Sequence, residues 1–382
     1  IMAAQYWGKQ DAASIEKVIP IALRTNLLFS GLFTILAGFC PEMLMRIFTN
    51  DAALVASGSQ YLRAVALSYV LCGISQVYLI LLKNTGHAAV SSRISSTAVV
   101  LNIILNAILI YGLCGAPALG IRGAAYATVA ARVVELIWAY LETKKPERVR
   151  ILWNRLFSSA GKILSEDFWR YTLPVLAASL VWGIAYVLYS VIMGHMGSDA
   201  VAANSITSIA KSLLSCLIRG VSGGAGVLIG NLLGANELEK AREYGGRLSH
   251  LSIAIGIVTG GLLMLISPAI VHFAPLSDTA AEYLQYMLLF CGLNLMAQSV
   301  NTTVLDGIFC AGGDAKFDMQ GNIGAMWCFS VPLGFLAAFW LKLPVMVVYC
   351  IVNLDEIVKL PAVYHHYKKY IWVRNITRDV ED

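Results

Sequence analysis

The stretch TKKPERVRILWNRLFSSAGKILSEDFWR, from Thr143 to Arg170, interrupts a chain that is otherwise apolar. It contains seven Lys and Arg residues, and Pro146 stops a helix from running through it from the left. Long hydrophobic segments with short connections lie on either side. The sequence therefore predicts a basic linker, residues 142–170, between two membrane-embedded halves. These are an N-terminal lobe, 1–141, and a C-terminal lobe with a basic tail, 171–382.

The composition excludes a soluble globular protein. The chain is 58% hydrophobic and 13% charged, with a mean hydropathy of +0.69. Soluble domains carry about 25% charged residues, so this chain cannot cover a surface exposed to water. We expect an all-α polytopic membrane protein. The eight cysteines fall singly, without a CxxC pair, and no HExxH or GxSxG motif occurs. The sequence thus indicates no metal site, no disulfide framework and no enzyme.

Ten hydrophobic segments are each long enough to cross a bilayer, which takes about 20 residues. Since backbone groups in hydrocarbon must pair internally, these segments are predicted helices. They run over residues 18–40, 58–83, 91–112, 119–141, 169–195, 200–233, 239–273, 279–311, 318–341 and 344–369. Twenty of the 28 Lys and Arg residues fall on the linker's side of the membrane and four on the opposite side. Because cytoplasmic loops carry the positive excess, the linker and both visible ends are predicted to be cytoplasmic.

The order of landmarks in the first half recurs in the second. AQYWGKQDAASIEKV from Ala4 aligns with GNLLGANELEKAREY from Gly230. Further matches place Pro41 over Pro268, Tyr61 over Tyr283, Gly86 over Gly313 and Tyr126 over Tyr349, at offsets between 222 and 227. Both copies start on the same predicted side, so they are parallel repeats about an axis along the membrane normal. Such a plan favours a transporter with its substrate site between the lobes.

Four stretches resemble the multidrug and toxic compound extrusion (MATE) family, and the resemblance covers essentially the whole chain. They are AQYWGKQD, NIILNAILIYG at Asn102–Gly112, CAGGDAKF, and the closing VNLDEIVKLPAVYHHYKKYIWVRNITR. The family has two six-helix lobes, which implies that the first helix and most of the second are missing here. The opening IMAAQYWGKQD agrees with this, because it reads as the last turn of a helix. We therefore expect an N-terminally truncated sequence.

The resemblance implies a secondary active exporter of cationic and amphipathic compounds. It implies antiport with Na⁺ or H⁺ by alternating access, with no cofactor besides the coupling ion. A multi-pass plasma-membrane protein (the cell inner membrane in a bacterium) is expected, a monomer that binds small amphipathic or cationic substrates and no nucleic acid. The sequence names neither the substrate nor the coupling ion.

One position departs from the family pattern. Many prokaryotic members carry Asn-x-x-x-Asp where this chain has Asn102 and Asn106. A spacing of four keeps both amides on one helical face. An amide cannot titrate, so a proton relay at Asn106 is excluded, but its oxygen can still be a ligand for a hard cation. The alternative is a pair of amides that hydrogen-bond between helices.

Four acids lie inside predicted segments, where ionisable residues are costly and often functional. They are Glu135, Asp306, Asp355 and Glu356. Glu135 lies one turn from Arg132, which favours a local ion pair. Asp306 either snorkels to the nearby interface or binds the coupling cation. Asp355, midway along its segment, either pairs with Lys359 four residues on or forms a cation or proton site. The coupling candidates are thus Asn102, Asn106, Asp306 and Asp355.

Two cations and several aromatic rings complete the candidates. Lys211 and Arg219 lie inside segment 200–233, roughly on one helical face. We expect them to pair with acids across the bundle, the alternatives being an anionic headgroup or a water-filled cleft. Ring faces attract cations. The predicted lining of the substrate cavity comprises Tyr69, Tyr78, Trp182, Tyr186 and Arg219.

Two other functions are alternatives to the cation-coupled exporter. A lipid-linked oligosaccharide flippase shares the repeat plan, but it needs several cations for a pyrophosphate, and only Arg219 and Lys211 offer that charge. A membrane enzyme or passive channel is the third class, and an enzyme requires a catalytic cluster that the sequence lacks. Gly226, Gly230 and Gly234, spaced by four, predict a ridge for close helix packing.

Overall fold

The computed structural model describes residues 1–48, 51–146, 148–151, 153–157 and 161–378. Within these ranges the chain is helical and contains no strand, so the predicted all-α class is confirmed. The first helices are α1 (Met2–Gly8), α2 (Ala12–Phe39), α3 (Pro41–Phe48), α4 (Ala52–Asn84), α5 (Ala88–Tyr111) and α6 (Ile121–Thr143). The later ones are α7 (Lys162–Gly194), α8 (Ser198–Gly234), α9 (Leu238–Phe273), α10 (Asp278–Thr302), α11 (Ala315–Asn322), α12 (Val331–Phe335), α13 (Val345–Val352) and α14 (Asp355–Tyr367).

In the part of the chain that the structure describes, three π-helical segments extend these helices. Thr303–Phe309 continues α10, Ile323–Ser330 joins α11 to α12, and Leu336–Trp340 follows α12. In the described residues, nine continuous helical runs are long and apolar enough to cross a membrane. They coincide with the first nine predicted segments.

The tenth predicted segment, 344–369, is wrong as a single helix. It breaks between α13 and α14, at Asn353 and Leu354. Asn294 Nδ2, on α10, donates to the Asn353 carbonyl at 2.6 Å, so a side chain supplies the hydrogen bond at the break. Interruptions of this kind are tolerated in a membrane helix where neighbouring side chains satisfy the backbone.

The chain forms two compact units. The first unit is Asp11–Phe168, and the second unit combines Ile1–Gln10 with Trp169–Asp382. In the first unit, α4 packs against α2 and α6, and α5 packs against α6. In the second unit, α10 packs against α8, α9 and α14. Residues 1–10, grouped with the N-terminal lobe by the sequence, pack against α8 of the second unit.

The crossing of α1 and α8 has the symmetry of the repeat. A Cβ added to Gly8 would clash with the carbonyl of Asn231, and one added to Gly234 would clash with the carbonyl of Gln5. The sequence alignment pairs Gln5 with Asn231 and Gly8 with Gly234, so the contact is reciprocal, as across a two-fold axis. Gly230 likewise lies against Ala4, which confirms the predicted glycine ridge.

The turns that follow equivalent helices also match. Gly86, after α4, has φ of +79°, and Gly313, before α11, has φ of +73°. This left-handed conformation costs a glycine little and other residues more. The two landmarks therefore occupy the same kind of turn.

Candidate functional site

The second unit contains an open cavity of about 390 Å³ in which charged side chains from several helices meet. Arg219 comes from α8, Asp306 from the π-helical continuation of α10, and Asp318 from α11. Glu356 and Lys359 come from α14. Ionisable side chains within predicted membrane helices are expensive, so this concentration marks the candidate site. We call it the first cavity.

A hydrogen-bonded chain of buried side chains forms one wall. Lys359 Nζ lies 3.1 Å from Glu356 Oε1 and donates to Asn322 Oδ1 at 3.2 Å. Asn322 Nδ2 donates to Asp318 Oδ1 at 3.1 Å. Asn301 Nδ2 donates to Glu356 Oε2 at 2.8 Å and to the Glu356 carbonyl at 2.7 Å. Lys359, Glu356 and Asp318 therefore each have a protein partner.

Asp306 differs from these buried acids. It is exposed, lines the first cavity, and makes no hydrogen bond or ion pair with any residue in the described ranges. It lies in the π-helical segment Thr303–Phe309. Ser222 Oγ donates to the Thr302 carbonyl at 2.9 Å, where this segment begins. π-Helical turns are rare and often occur at functional sites, which fits an unpaired carboxylate held at this point.

Asp355 begins α14 instead of lying in the middle of a helix, because the segment breaks just before it. Its Oδ2 lies 3.9 Å from Lys359 Nζ, so Glu356 is the closer partner of that lysine. Asp355 lines a second cavity of about 180 Å³, which shares Trp182, Arg219 and Glu356 with the first. A carboxylate at a helix N-terminus is stabilised by the helix dipole.

The expectation that Lys211 and Arg219 pair with acids is wrong. Lys211 Nζ donates to the amide oxygen of Asn294 at 3.0 Å. Arg219 is exposed and lies on both cavities, and no carboxylate in the described part of the chain comes within 4.0 Å of either cation. The cavities give the guanidinium room for water, so it does not require a protein acid.

The charges lining the two cavities do not cancel. They comprise four carboxylates, Asp306, Asp318, Asp355 and Glu356, and three cations, Lys211, Arg219 and Lys359. When all are ionised, one negative charge is in excess. The two cavities together can therefore accept one proton or one monovalent cation without their lining gaining net positive charge.

Asn102 and Asn106 lie on α5 of the first unit. Asn106 Nδ2 donates to Asn102 Oδ1 at 3.1 Å, and Asn102 Nδ2 donates to Thr128 Oγ1 of α6 at 3.4 Å. Asn106 Oδ1 is buried without a partner among the described residues. The amides thus link two helices and leave one acceptor available, so their role in coupling stays a prediction.

The predicted aromatic residues separate into two groups. Trp182 and Tyr186, on α7, line the second cavity, and Trp182 also lines the first. Tyr69 is half-buried on α4 of the first unit. Tyr78 lies in an apolar core of that unit, where its hydroxyl accepts from Trp153 Nε1 of the linker at 2.7 Å.

Sequence reasoning missed Asp318 and Asn322. Asp318 is the first residue of the predicted segment 318–341. Their spacing of four puts both side chains on one face of a helix, as it does for Asn102 and Asn106. That repeated spacing was the available signal. Glu135, in the first unit, forms the local pair expected from the sequence, 2.8 Å from Arg132.

The chain is similar to transporters of one family. The family model MatE matches residues 1–108 and 174–336. The probable multidrug resistance protein YoeA of Bacillus subtilis is 21% identical, over 100% of this chain and 82% of its own length. The probable multidrug resistance protein NorM of Agrobacterium fabrum is 22% identical, over 88% of this chain and 74% of its own length.

Solved structures show the same fold. A MOP superfamily transporter from Pyrococcus furiosus superposes with a TM-score of 0.86 at 19% identity, covering 97% of this chain and 81% of that one. The MATE transporter VcmN of Vibrio cholerae gives 0.82 at 16% identity, covering 97% and 82%. The MatE family model matches most of the residues and so confirms the resemblance noted from the sequence. The chain belongs to the MatE family of membrane transporters.

Proposed function

We propose that the protein is a secondary active efflux transporter that exports cationic and amphipathic compounds by antiport with Na⁺ or H⁺. The observation that carries the proposal is the unpaired Asp306 carboxylate in the first cavity. The names of YoeA and NorM, both probable multidrug resistance proteins, support export of drugs over the flippase alternative.

The excess negative charge supplies the coupling. A proton or Na⁺ on Asp306 neutralises it, and the cationic group of a substrate near the same carboxylate does the same. The two ligands therefore compete for one charge, and each lowers the affinity of the site for the other. Alternating access of the cavity then exchanges them across the membrane.

The proposed topology follows the distribution of charge. Twenty Lys and Arg residues on one side support a cytoplasmic linker and C-terminal tail in a multi-pass plasma-membrane protein. Asp306, three residues before the end of its π-helical segment, then lies toward the cytoplasmic end. We propose that the protein acts as a monomer.

Ethidium efflux from cells that overexpress the protein tests the proposal. We expect efflux to stop when the sodium and proton gradients are both collapsed. We expect Asp306→Asn to lower the initial rate about tenfold or more, because a neutral amide loses a charged interaction with the coupling ion. Asp278→Asn, at the exposed start of the same helix, is the matched control and retains the wild-type rate.

Two results contradict the proposal. Efflux that persists without either gradient excludes antiport. If Asp306→Asn exports ethidium at the wild-type rate and is as abundant in the membrane as wild type, this carboxylate has no role in coupling.

A further inference from the structure

Two arginines lie together on the side of the membrane that carries few cations. In the proposed topology, only four Lys and Arg residues fall on the side opposite the linker, since positive charge is concentrated in the cytoplasm. Arg46 of α3 and Arg63 of α4 are two of these four, and both line one open cavity of the first unit. We call it the outer cavity. Its volume of about 650 Å³ lies within the range of about 300–1,000 Å³ that small-molecule sites occupy.

α3 and α4 supply the walls of the outer cavity. Met45 of α3 packs against Gly58 of α4, which brings the two helices together. Glu42 and Arg46, four residues apart, are the lining residues from α3. The lining residues from α4 recur every three or four positions, so they share one face of that helix. They are Ala52, Val55, Ala56, Ser59, Gln60 and Arg63. The cavity therefore combines small apolar side chains with two guanidinium groups.

The guanidinium groups have N–H donors available for a ligand. Arg63 Nη2 lies 3.6 Å from Glu42 Oε1, but both side chains are more than half exposed, and such a pair contributes little. In the described ranges, no carboxylate lies within 4.0 Å of Arg46. Two cations and one carboxylate leave the lining with one positive charge in excess. A ligand with a single negative charge neutralises it.

The faces of α3 indicate that the outer cavity lies at the boundary between lipid and water. α3 directly follows α2, which is long and apolar enough to cross a membrane. Met43 and Ile47, four residues apart, are 63% and 69% exposed, so α3 presents an apolar face outward. Glu42 and Arg46 form the adjoining polar face. Helices with one apolar and one charged face lie at the level of the lipid headgroups, where the phosphates are.

We propose that the outer cavity binds the headgroup of an anionic phospholipid from the outer leaflet. The phosphodiester accepts hydrogen bonds from Arg46 and Arg63, because the fork of donors on a guanidinium matches phosphate geometry. The single charge of phosphatidylglycerol neutralises the lining, whereas zwitterionic phosphatidylethanolamine leaves the excess charge in place. The bound lipid joins α3 to α4. This site belongs to the first unit, and it goes beyond the proposed export function.

Titration of the detergent-purified protein with phosphatidylglycerol tests the proposal. Native mass spectrometry counts the lipids that are bound and gives an apparent dissociation constant for each binding step. The variant Arg46→Gln/Arg63→Gln is expected to weaken one step about tenfold or more, because the phosphate loses charged hydrogen bonds. At a lipid concentration that saturates the wild type, this variant then binds one phosphatidylglycerol fewer.

A second variant is expected to change the affinity in the opposite direction. Glu42→Gln removes the negative charge that repels the phosphate, so it tightens the same step. A residue with only a structural role does not give such a gain. Arg122→Gln is the matched control, because Arg122 is exposed on the same predicted side of the first unit but does not line the cavity. Its titration is expected to equal that of the wild type.

The outcomes are distinct from those of the export function. An unchanged count of phosphatidylglycerol on the double variant overturns the inference, and so does equal binding of phosphatidylethanolamine to the wild type. If the double variant does not fold, Glu42→Gln without tighter binding overturns it instead. Displacement of the lipid by glycerol 3-phosphate at equal concentration overturns it in favour of a soluble phosphate ester. Binding is measured without transport, so none of these results affects the proposed export.

Discussion

Lys359 shows how a buried charge in this protein depends on its neighbours. Its ammonium lies 3.1 Å from Glu356 Oε1 and 3.9 Å from Asp355 Oδ2, and it donates to Asn322. All four side chains are buried. Removing one partner from a buried pair leaves an uncompensated charge, which costs more than the pair itself contributes.

We therefore predict that Lys359→Met destabilises the protein by about 3–5 kcal/mol. The double variant Lys359→Met/Glu356→Gln removes both charges and recovers part of that loss. Thermal unfolding of the purified protein in detergent measures both. A double variant that is no more stable than Lys359→Met would show that the two groups are not coupled.

Asp355 allows a sharper separation of structure from coupling. Because Glu356 is the closer partner of Lys359, we predict that Asp355→Asn reaches wild-type abundance in the membrane. If Asp355 belongs to the coupling site, the Asp355→Asn variant exports ethidium against a gradient more slowly, although its abundance in the membrane is unchanged. Measuring the abundance of the variant together with ethidium efflux distinguishes a structural role from a coupling role. Low abundance of Asp355→Asn would make Asp355 a structural residue.

At the scale of single elements, the crossing of α1 and α8 leaves no room for a side chain. We predict that Gly234→Ala destabilises the protein by about 1–3 kcal/mol, because the added Cβ meets the Gln5 backbone instead of a movable side chain. The reciprocal geometry predicts a similar effect for Gly8→Ala. The measurement is the shift of the unfolding temperature in detergent.

Gly224→Ala is the matched control on the same helix, since a Cβ there meets nothing within 4 Å. Alanine has the higher helix propensity, so this variant is expected to be at least as stable as wild type. Equal destabilisation by Gly224→Ala and Gly234→Ala would contradict the argument from packing.

The elements differ in how far the sequence predicts them. Nine spans follow from the length of apolar runs, because a lipid environment leaves the helix as the only way to pair the backbone. The break at Asn353 is marked in the sequence only by the polar residues Asn353, Asp355 and Glu356, which follow the apolar run VMVVYCIV directly. It depends on Asn294, which is 59 residues away along the chain. The π-helical turn that holds Asp306 likewise depends on contacts from α8.

The site is predictable only in part for the same reason. Asp306 and Arg219 stand out in the sequence because they are charged residues in apolar segments. Their partners do not, because α7, α8, α10, α11 and α14 meet only in the folded unit. The expected pairing of Arg219 with an acid failed because the sequence gives no indication of a cavity beside it.

At the scale of the whole molecule, the C-terminal tail is part of the packed fold. Trp372 is fully buried, against Gly245 and Gly312. Arg374 donates to the carbonyls of Gly312 and Gly313 at 2.7 and 2.6 Å. The tail thus fixes the turn between the π-helical end of α10 and α11, next to the helices that carry Asp306 and Asp318.

We predict that Trp372→Ala costs about 3–5 kcal/mol of stability, as expected for truncation of a buried aromatic residue. Trp340→Ala is the matched control, because that ring is 84% exposed in the structure. Thermal unfolding of both variants gives the comparison. Similar unfolding temperatures for the two would show that the tail packs only loosely.

Gln5 connects this tail to the other end of the chain, and that has a consequence for biosynthesis. Its buried amide donates to the Ala311 carbonyl at 2.7 Å and accepts from the Ile376 N–H at 2.8 Å. The ribosome makes Gln5 more than three hundred residues before either partner. Until translation reaches the tail, α1 has no complete docking surface, and an amide suited to a protein interior stays unsatisfied. A nascent chain that stalls before Ile376 can therefore pack α1 on α8 but leaves the Gln5 amide oxygen without its partner from the tail.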